Sequence, residues 1–576
     1  MIPATPAPPH VPLDLGLDAA AEEFRQQVCA ELTRAMAADR TAGHRDPADR
    51  TGLDEKFERR LLARAGRLGW LGVSLPADAG GAGRPPAWAA AFAYEAAWHH
   101  APLVDTGVVL ASAPVIAYGT AAQRAELLPG MLAGTETWCC AYTELSSGND
   151  VFNGLAARAR RDEDGVWRLS GTKALVTGAA KADRCLTVAR TPAGISMFVV
   201  NLRGPRRGVA VRGVPTIAGY ALDEVVFEGA AAELLGEDGA GRRQAARAVR
   251  AEHGGMFQLG WAHRIAADLT DRYGGVPMAA SGAALVEADP LVRERIGELW
   301  ARLYAGRATA LASVAAAPGG RPEPVAALLA KVRLTELLKD VARDAAAVAC
   351  AEPCAAEDAE DAADPPGPWE ARFAAEAVLR LDGPVSVGAN DLHREAIAAY
   401  VLGERRSAAP ILDTDTDTDT DTDIDGEVGD GREKDGGPAA LSRSAVRAAA
   451  QALAHTVAYV QARAAYGTTL ARLPVVRRRL ADMYGDLDAA RRLLDGVGAF
   501  ARDPVEAAAA AEAQAGRLCL RVVEDAVELC GGHGYLAESG LGDCYRAAWA
   551  AARRADYGPV AIGLARRARW AREGLA

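Results

Sequence analysis

Some side chains in this sequence have the type and spacing to do chemistry. Cys350 and Cys354 stand one helical turn apart, so a shared metal ion is conceivable, but two buried core thiols are the favoured reading. Asp421, Asp423, Asp425 and Gly426 follow the opening of a calcium loop, yet Arg432 occupies the twelfth position, where such a loop needs a bidentate glutamate. No helical pattern precedes it, so an acidic spacer is expected there. His533 could exchange a proton near neutral pH, but its place among Gly531, Gly532 and Gly534 reads as a turn position. Glu252 carries a carboxylate in a helical stretch, and taken by itself it is a solvated glutamate. Arg477-Arg478-Arg479 lies inside a helical pattern and reads as a solvated face.

These residues must be positioned by several domains, because 576 residues exceed what one core organises. Half the residues are apolar and 24% are charged, as in a globular protein. The net charge of −11, with no block of lysines or arginines, argues against a nucleic-acid or anionic-membrane surface. No run of eighteen apolar residues is present, so no membrane span is expected. Met1–Pro12 is proline-rich and lacks the charged and apolar regions of a signal peptide. The nine cysteines are scattered without a C-x-x-C pair, which fits reduced thiols and a cytoplasmic location.

The fold class expected is multidomain α+β. Residues 1–134 have a helical period with alanine-rich interiors and form an N-terminal helical domain. Residues 135–238 change texture: Arg184–Thr191, Ile195–Leu202 and Gly208–Val214 are short β-branched runs between turn residues, and Trp167–Lys173 reads as a hairpin strand and turn. This block is expected to be a small antiparallel barrel or sandwich. Helical patterning returns over 239–405 as a four-helix bundle and over 440–576 as a second helical bundle. Between them, residues 406–439 hold an Asp-Thr repeat too polar to bury a core, hence a linker.

The order helix, β-block, helix resembles the acyl-CoA dehydrogenases, and the motifs at its junctions match that family. Tyr118-Gly119-Thr120-Ala121-Ala122-Gln123-Arg124 and Leu127-Leu128-Pro129-Gly130 are similar to the segment leading into the family's β-domain. Cys140–Asp150 is similar to the signature "AYTEPxxGSD", with Leu145 in place of proline and Asn149 in place of serine. Gly171–Asp183 resembles "G.K.wITNG..AD". The resemblance implies an FAD flavoprotein. It places Tyr142, Thr143 and Thr177 at the flavin, Leu175 and Val176 along its ring, and Asn149 near the CoA portion of a substrate.

The same resemblance bears on the base. Val385–Arg394 matches the segment in which many relatives carry a catalytic glutamate, but the position is Val387, which accepts no proton. A smaller set of relatives carries the glutamate on the first long helix after the β-domain, and Ala251-Glu252-His253 stands there. The resemblance thus implies Glu252 as the base. Residues 1–405 resemble one whole dehydrogenase lacking the "RxxFG" motif that holds the FAD pyrophosphate. Residues 440–576 supply it as Arg463-Ala464-Ala465-Tyr466-Gly467, with Gly531-Gly532-His533-Gly534-Tyr535 downstream. The pattern is similar to the two subunits of heteromeric dehydrogenases fused into one chain, the second copy reduced to its helical domain. It implies that Arg463, Tyr466, Gly531 and Gly532 complete one composite FAD site.

The activity implied is oxidation of an acyl-CoA, or an acyl-carrier-protein thioester, to the trans-2-enoyl thioester. An electron-transfer flavoprotein is the acceptor that the family implies, and a homodimer the assembly. Rival readings are a flavin monooxygenase or N-hydroxylase of the same fold, and a flavin-free partner subunit.

Overall fold

The computed structural model describes residues 13–41, 55–103, 107–147, 152–204, 207–252, 255–275, 289–315, 325–350, 368–384, 389–404, 439–465, 467–496, 504–554, 557 and 560–562. The chain forms two compact units, one of Asp18–Gly260 and one of Met1–Leu17 with Trp261–Ala576.

The first unit begins with helices α1 (Ala19–Thr41), α2 (Glu55–Arg67), α3 (Pro86–Trp98), α4 (Ser112–Tyr118) and α5 (Ala121–Leu132). α5 starts at a reciprocal cap: Gln123 N donates to Thr120 Oγ1 at 3.2 Å, and Thr120 N donates to Gln123 Oε1 at 3.0 Å. The Gln123 side chain also donates to Leu234 O at 2.7 Å, so the cap that starts the helix also fixes it to the last strand of the β-block.

That block contains β1 (Trp138–Ala141), β2 (Arg158–Arg161), β3 (Trp167–Val176), β4 (Arg184–Thr191), β5 (Gly194–Asn201), β6 (Val209–Pro215) and β7 (Ala221–Leu234). The order is β1-β4-β2-β3-β7-β5, with β6 on β7 and β5 returning to β4 to close the ring. The expected antiparallel block is therefore a closed, mixed one. β1 runs parallel to β4, and β2 meets β4 in parallel at Arg158 and Arg190. Inward-facing Leu169, Val188, Phe198 and Phe227 fill it. Helix α6 (Gly241–Glu252) leaves the block with Ala245 packed into the same core.

The second unit is helical: most of α7 (Met256–Gly275), then α8 (Pro290–Val314), α9 (Ala326–Cys350), α10 (Pro368–Leu379), α11 (Asn390–Val401), α12 (Ala439–Ala462), α13 (Pro474–Asp495), α14 (Pro504–Cys530) and α15 (Leu541–Ala552). α8 starts where Asp289 accepts from Leu291 N at 2.8 Å and Pro290 fills the first turn. Helices from before and after residues 406–439 are joined by charged pairs. Arg394 on α11 donates to Asp482 on α13 at 2.7 Å and to Glu336 on α9 at 2.8 Å. Arg333 on α9 donates to Asp486 on α13 at 2.6 Å.

The arginine run 477–479 departs from the solvated face expected of it. Arg477 is buried and donates to Glu395 at 2.6 Å and Glu404 at 2.7 Å. Arg479 donates to Asp525 at 2.6 Å, and only Arg478 is largely exposed. Each arginine points a different way around α13, so the run serves two neighbouring helices and solvent at once. Cys354, the Asp-Thr repeat and the calcium-like loop lie outside the described residues.

Candidate active site

The first set of expected contacts is built by β3 and the chain that follows β1. The alternation along β3 points Leu169 inward and Arg168 and Ser170 outward, and it carries Lys173 to the inner face. A fully buried ammonium needs a partner, and Lys173 Nζ donates to Glu144 Oε1 at 2.9 Å and to Tyr142 O at 3.3 Å. Glu144 also accepts from the backbone N–H of Ala156 at 2.7 Å and of Ala157 at 3.0 Å. Burial pushes the Glu144 carboxyl up, but the Lys173 hydrogen bond and these amides outweigh it and hold the group below its ordinary value. Burial lowers Lys173, with Glu144 opposing.

Just beyond Lys173 the ladder between β3 and β7 slips: Lys173 faces Val225 and Val176 faces Asp223, so three steps on β3 oppose two on β7. The bulge frees the Ala174 N–H to donate to Thr143 O at 2.9 Å. It also holds Leu175 at φ 57°, a left-handed conformation that costs a leucine roughly 1–2 kcal/mol. The result is an apolar side chain turned outward, 57% exposed, next to exposed Thr177. Strain of this kind persists only where the surroundings impose it.

Val176 is the one position corrected here. It was expected along the ring beside Leu175, but the bulge turns its side chain into the β-core at 1% exposure. Only its backbone can border a ligand. Tyr142 and Thr143 are half-buried at the junction of the two segments, and Leu145, which follows Glu144, is 75% exposed.

Glu252 is the last residue of α6. That helix is fixed at its start, where a Cβ on Gly241 would come within 2.8 Å of Ile195 O, so only glycine permits the approach. One turn on, buried Gln244 donates to Leu235 O at 2.7 Å. Asn149, Tyr466 and Val387 lie outside the described residues, as does the Glu252 side chain.

The second set of expected contacts is built by α12, α14 and the turns after them. Arg463 N donates to Tyr459 O at 2.8 Å, so Arg463 follows Tyr459 by one turn at the end of α12. Its side chain is exposed and forms no ion pair among the described residues. α14 ends at Cys530, and Gly531, at φ 57°, turns the chain as few other residues can. A Cβ at Gly531 or Gly532 would meet nothing within 4 Å, so the backbone of this turn stands open.

His533 joins the two pieces. Its ring stacks on Tyr459 at 5.1 Å and lies parallel to His455 at 5.7 Å. His533 ends the 3-10 turn Gly531–His533, and the stacking sets that turn against Tyr459, which precedes Arg463 by one helical turn. Glu528, just upstream, is engaged by Arg479 and so does not present a lone negative charge to this turn.

The first unit thus presents an outward leucine on β3, and the second an open glycine turn that packs through His533 on the helix ending at exposed Arg463. Sequence reasoning missed the pair Lys173–Glu144 near Leu175. The signal was present, since β3 alternation places a lysine on its apolar face, where a buried partner is obligatory.

The sequence matches three family descriptions: "Acyl-CoA dehydrogenase, N-terminal domain" over residues 23–135, "Acyl-CoA dehydrogenase, middle domain" over 139–230, and "Acyl-CoA dehydrogenase, C-terminal domain" over 255–363 and 439–553. The chain is 34% identical over 318 residues to the acyl-CoA dehydrogenase IpdE1 of Mycobacterium tuberculosis, covering 51% of this chain and 77% of the relative. Its fold is similar to that of an acyl-CoA dehydrogenase from Bacillus anthracis solved with FAD, at TM-score 0.73 and 17% identity, over 97% of this chain and 95% of the other. It is also similar to the Tcur3481-Tcur3483 steroid acyl-CoA dehydrogenase, at TM-score 0.58 and 24% identity, over 68% of this chain and all of that one. With all three domain descriptions matched in order across more than half its length, the chain belongs to the acyl-CoA dehydrogenase family.

Proposed function

We propose that the protein binds FAD and oxidises an acyl thioester, carried on CoA or a carrier protein, to its trans-2-enoyl form. The observation that carries this reading is the strained, outward-facing Leu175 held beside Thr143 and Thr177, in a family with an FAD-complexed neighbour. Bound FAD supplies a two-electron acceptor for the β-hydrogen. The chain's own residues do the rest: Leu175 and the backbone at Val176 wall the ring slot, and Tyr142, Thr143 and Thr177 supply polar contacts at its edge.

In this reading Glu252, the last residue of α6, removes the substrate's α-proton. Arg463 and the open amides at Gly531 and Gly532 would hold the dinucleotide's phosphates, and Tyr466 belongs to the same motif. Asn149 contacts the CoA portion. Residues 1–134, 135–238, 239–405 and 440–576 act as the four functional domains, with 406–439 a tether that raises the effective concentration of the last. A homodimer and an electron-transfer flavoprotein acceptor complete the proposal. The steroid enzyme among the structural neighbours favours a bulky or ring-bearing acyl group.

Replacing Glu252 by Gln tests the base. The variant is expected to keep a full flavin spectrum and to lose acyl-CoA-dependent bleaching by at least about a hundredfold in rate, the scale of general-base catalysis. Unchanged bleaching would reject Glu252. A wild-type protein purified and reconstituted without any yellow colour would reject the whole reading in favour of a flavin-free partner subunit.

A further inference from the structure

The helices α1 and α3 bring together three side chains of ligand type. Cys29 Sγ, a Glu95 carboxylate oxygen and a His99 ring nitrogen all lie within 4.8 Å of one another. Glu95 and His99 are buried and Cys29 is half-buried, so this is an interior cluster and not a patch of surface acids.

The geometry selects a tautomer. His99 Nδ1 lies 2.9 Å from the carbonyl oxygen of Glu95, which can only accept, so Nδ1 carries the proton. Nε2 then presents its lone pair toward Thr33 Oγ1 at 3.0 Å and Cys29 Sγ at 4.0 Å. A histidine bound to metal through one nitrogen and held by a carbonyl through the other has this arrangement.

Arg25 donates to Glu95 and, at 2.6 Å, to Glu22. Burial, and next the Glu95 charge, push the Cys29 thiol up to about 12.

We propose that this cluster is a zinc-class cation site in which Cys29 Sγ, His99 Nε2 and Glu95 are the protein ligands and which clips α1 to α3. One sulfur, one nitrogen and one oxygen favour zinc over magnesium or calcium. Typical zinc bonds of ~2.3 Å to sulfur and ~2.0 Å to nitrogen sum to more than the separation of Sγ and Nε2, so an ion fits between them off the direct line. On binding, the Cys29 S–H bond breaks, a sulfur–metal bond forms and the proton leaves to solvent, with no change of oxidation state. Thr33 or water takes the fourth position, and Arg25 stays on the outer oxygen of Glu95.

The test uses the full-length protein equilibrated with zinc chloride, freed of excess ion and assayed for metal by elemental analysis. One ion retained per chain is expected, with one proton released per ion bound near neutral pH. Cys29→Ser and His99→Gln are each expected to weaken binding by at least about tenfold. Because either variant could fail to fold, Cys29 alkylation in wild type is mapped by peptide mass with and without zinc, and protection by zinc is expected. Substoichiometric zinc, no protection of Cys29, or equally tight binding by Cys29→Ser would overturn the site.

Discussion

Lys173 and Glu144 form a buried ion pair at 2.9 Å, and the residues expected at the flavin flank both of its members. Thr143 precedes Glu144, while Leu175 follows Lys173 by two. The pair thus fastens two segments that no ladder of strand hydrogen bonds joins. Removing one partner leaves the other charged, buried and unmatched. Lys173→Met is expected to cost about 3–5 kcal/mol in denaturant unfolding of the first unit. It is also expected to release flavin. The double variant Lys173→Met, Glu144→Leu should recover much of the stability but not the flavin, because the Tyr142 and Ala156 anchors go with it.

The pair also sets a pH dependence. Glu144 sits below its ordinary value of 4.5 in the folded chain, so the folded state binds fewer protons than the unfolded one as pH falls through that region. Its stabilisation is present above about 4.5 and is lost as pH drops through the lower folded value. In Glu144→Gln this contribution is absent at every pH. The stability of the variant, measured by urea unfolding from about pH 5 down to about pH 3, is expected to fall less steeply than that of the wild type.

Leu175 offers a test in which stability and function part. A glycine there relieves the left-handed strain, and Leu175→Gly is expected to raise unfolding stability by about 1 kcal/mol. The same change removes the apolar wall, so flavin affinity should fall. A stabilised variant that bound flavin as tightly as wild type would remove Leu175 from the ring slot.

Helices on either side of residues 406–439 are held together by charge pairs, of which Asp486 between Arg333 and Arg521 is the best enclosed. Burial raises this carboxyl, but the two guanidinium groups overcome that and hold it low. Asp486→Asn is expected to cost about 2–3 kcal/mol, read as a lower urea midpoint of the second unit. It should leave flavin chemistry intact.

Much of this was legible in the sequence because it rests on local pattern. β4 coincides with the β-branched run expected at Arg184–Thr191, and the turn role of His533 followed from its glycines. What stayed hidden depends on tertiary pairing. Apart from Val225-Val226-Phe227, β7 is rich in alanine and acidic residues, and its length depends on β3 and β6 pairing with it. The inward turn of Val176 needs the bulge, which is set by register against β7 and not by the residues themselves. Arg477 reads as solvated until Glu395 and Glu404 arrive from α11 and its end.

The central claim is that the helical region after residue 439 contributes to the flavin site of the chain that carries Thr143 and Leu175. Truncating that region is a poor probe, since Arg394, Arg333 and Arg477 pair across the cut. Arg463 is exposed, so Arg463→Ala tests the contact with little disturbance of the core. The measurement is the FAD dissociation constant of the full-length variant against wild type, by flavin fluorescence. An increase of about 10- to 100-fold, in keeping with ~1.5–3 kcal/mol for a charged hydrogen bond, is expected, with part of it recovered in Arg463→Lys. An unchanged dissociation constant in Arg463→Ala would contradict the account.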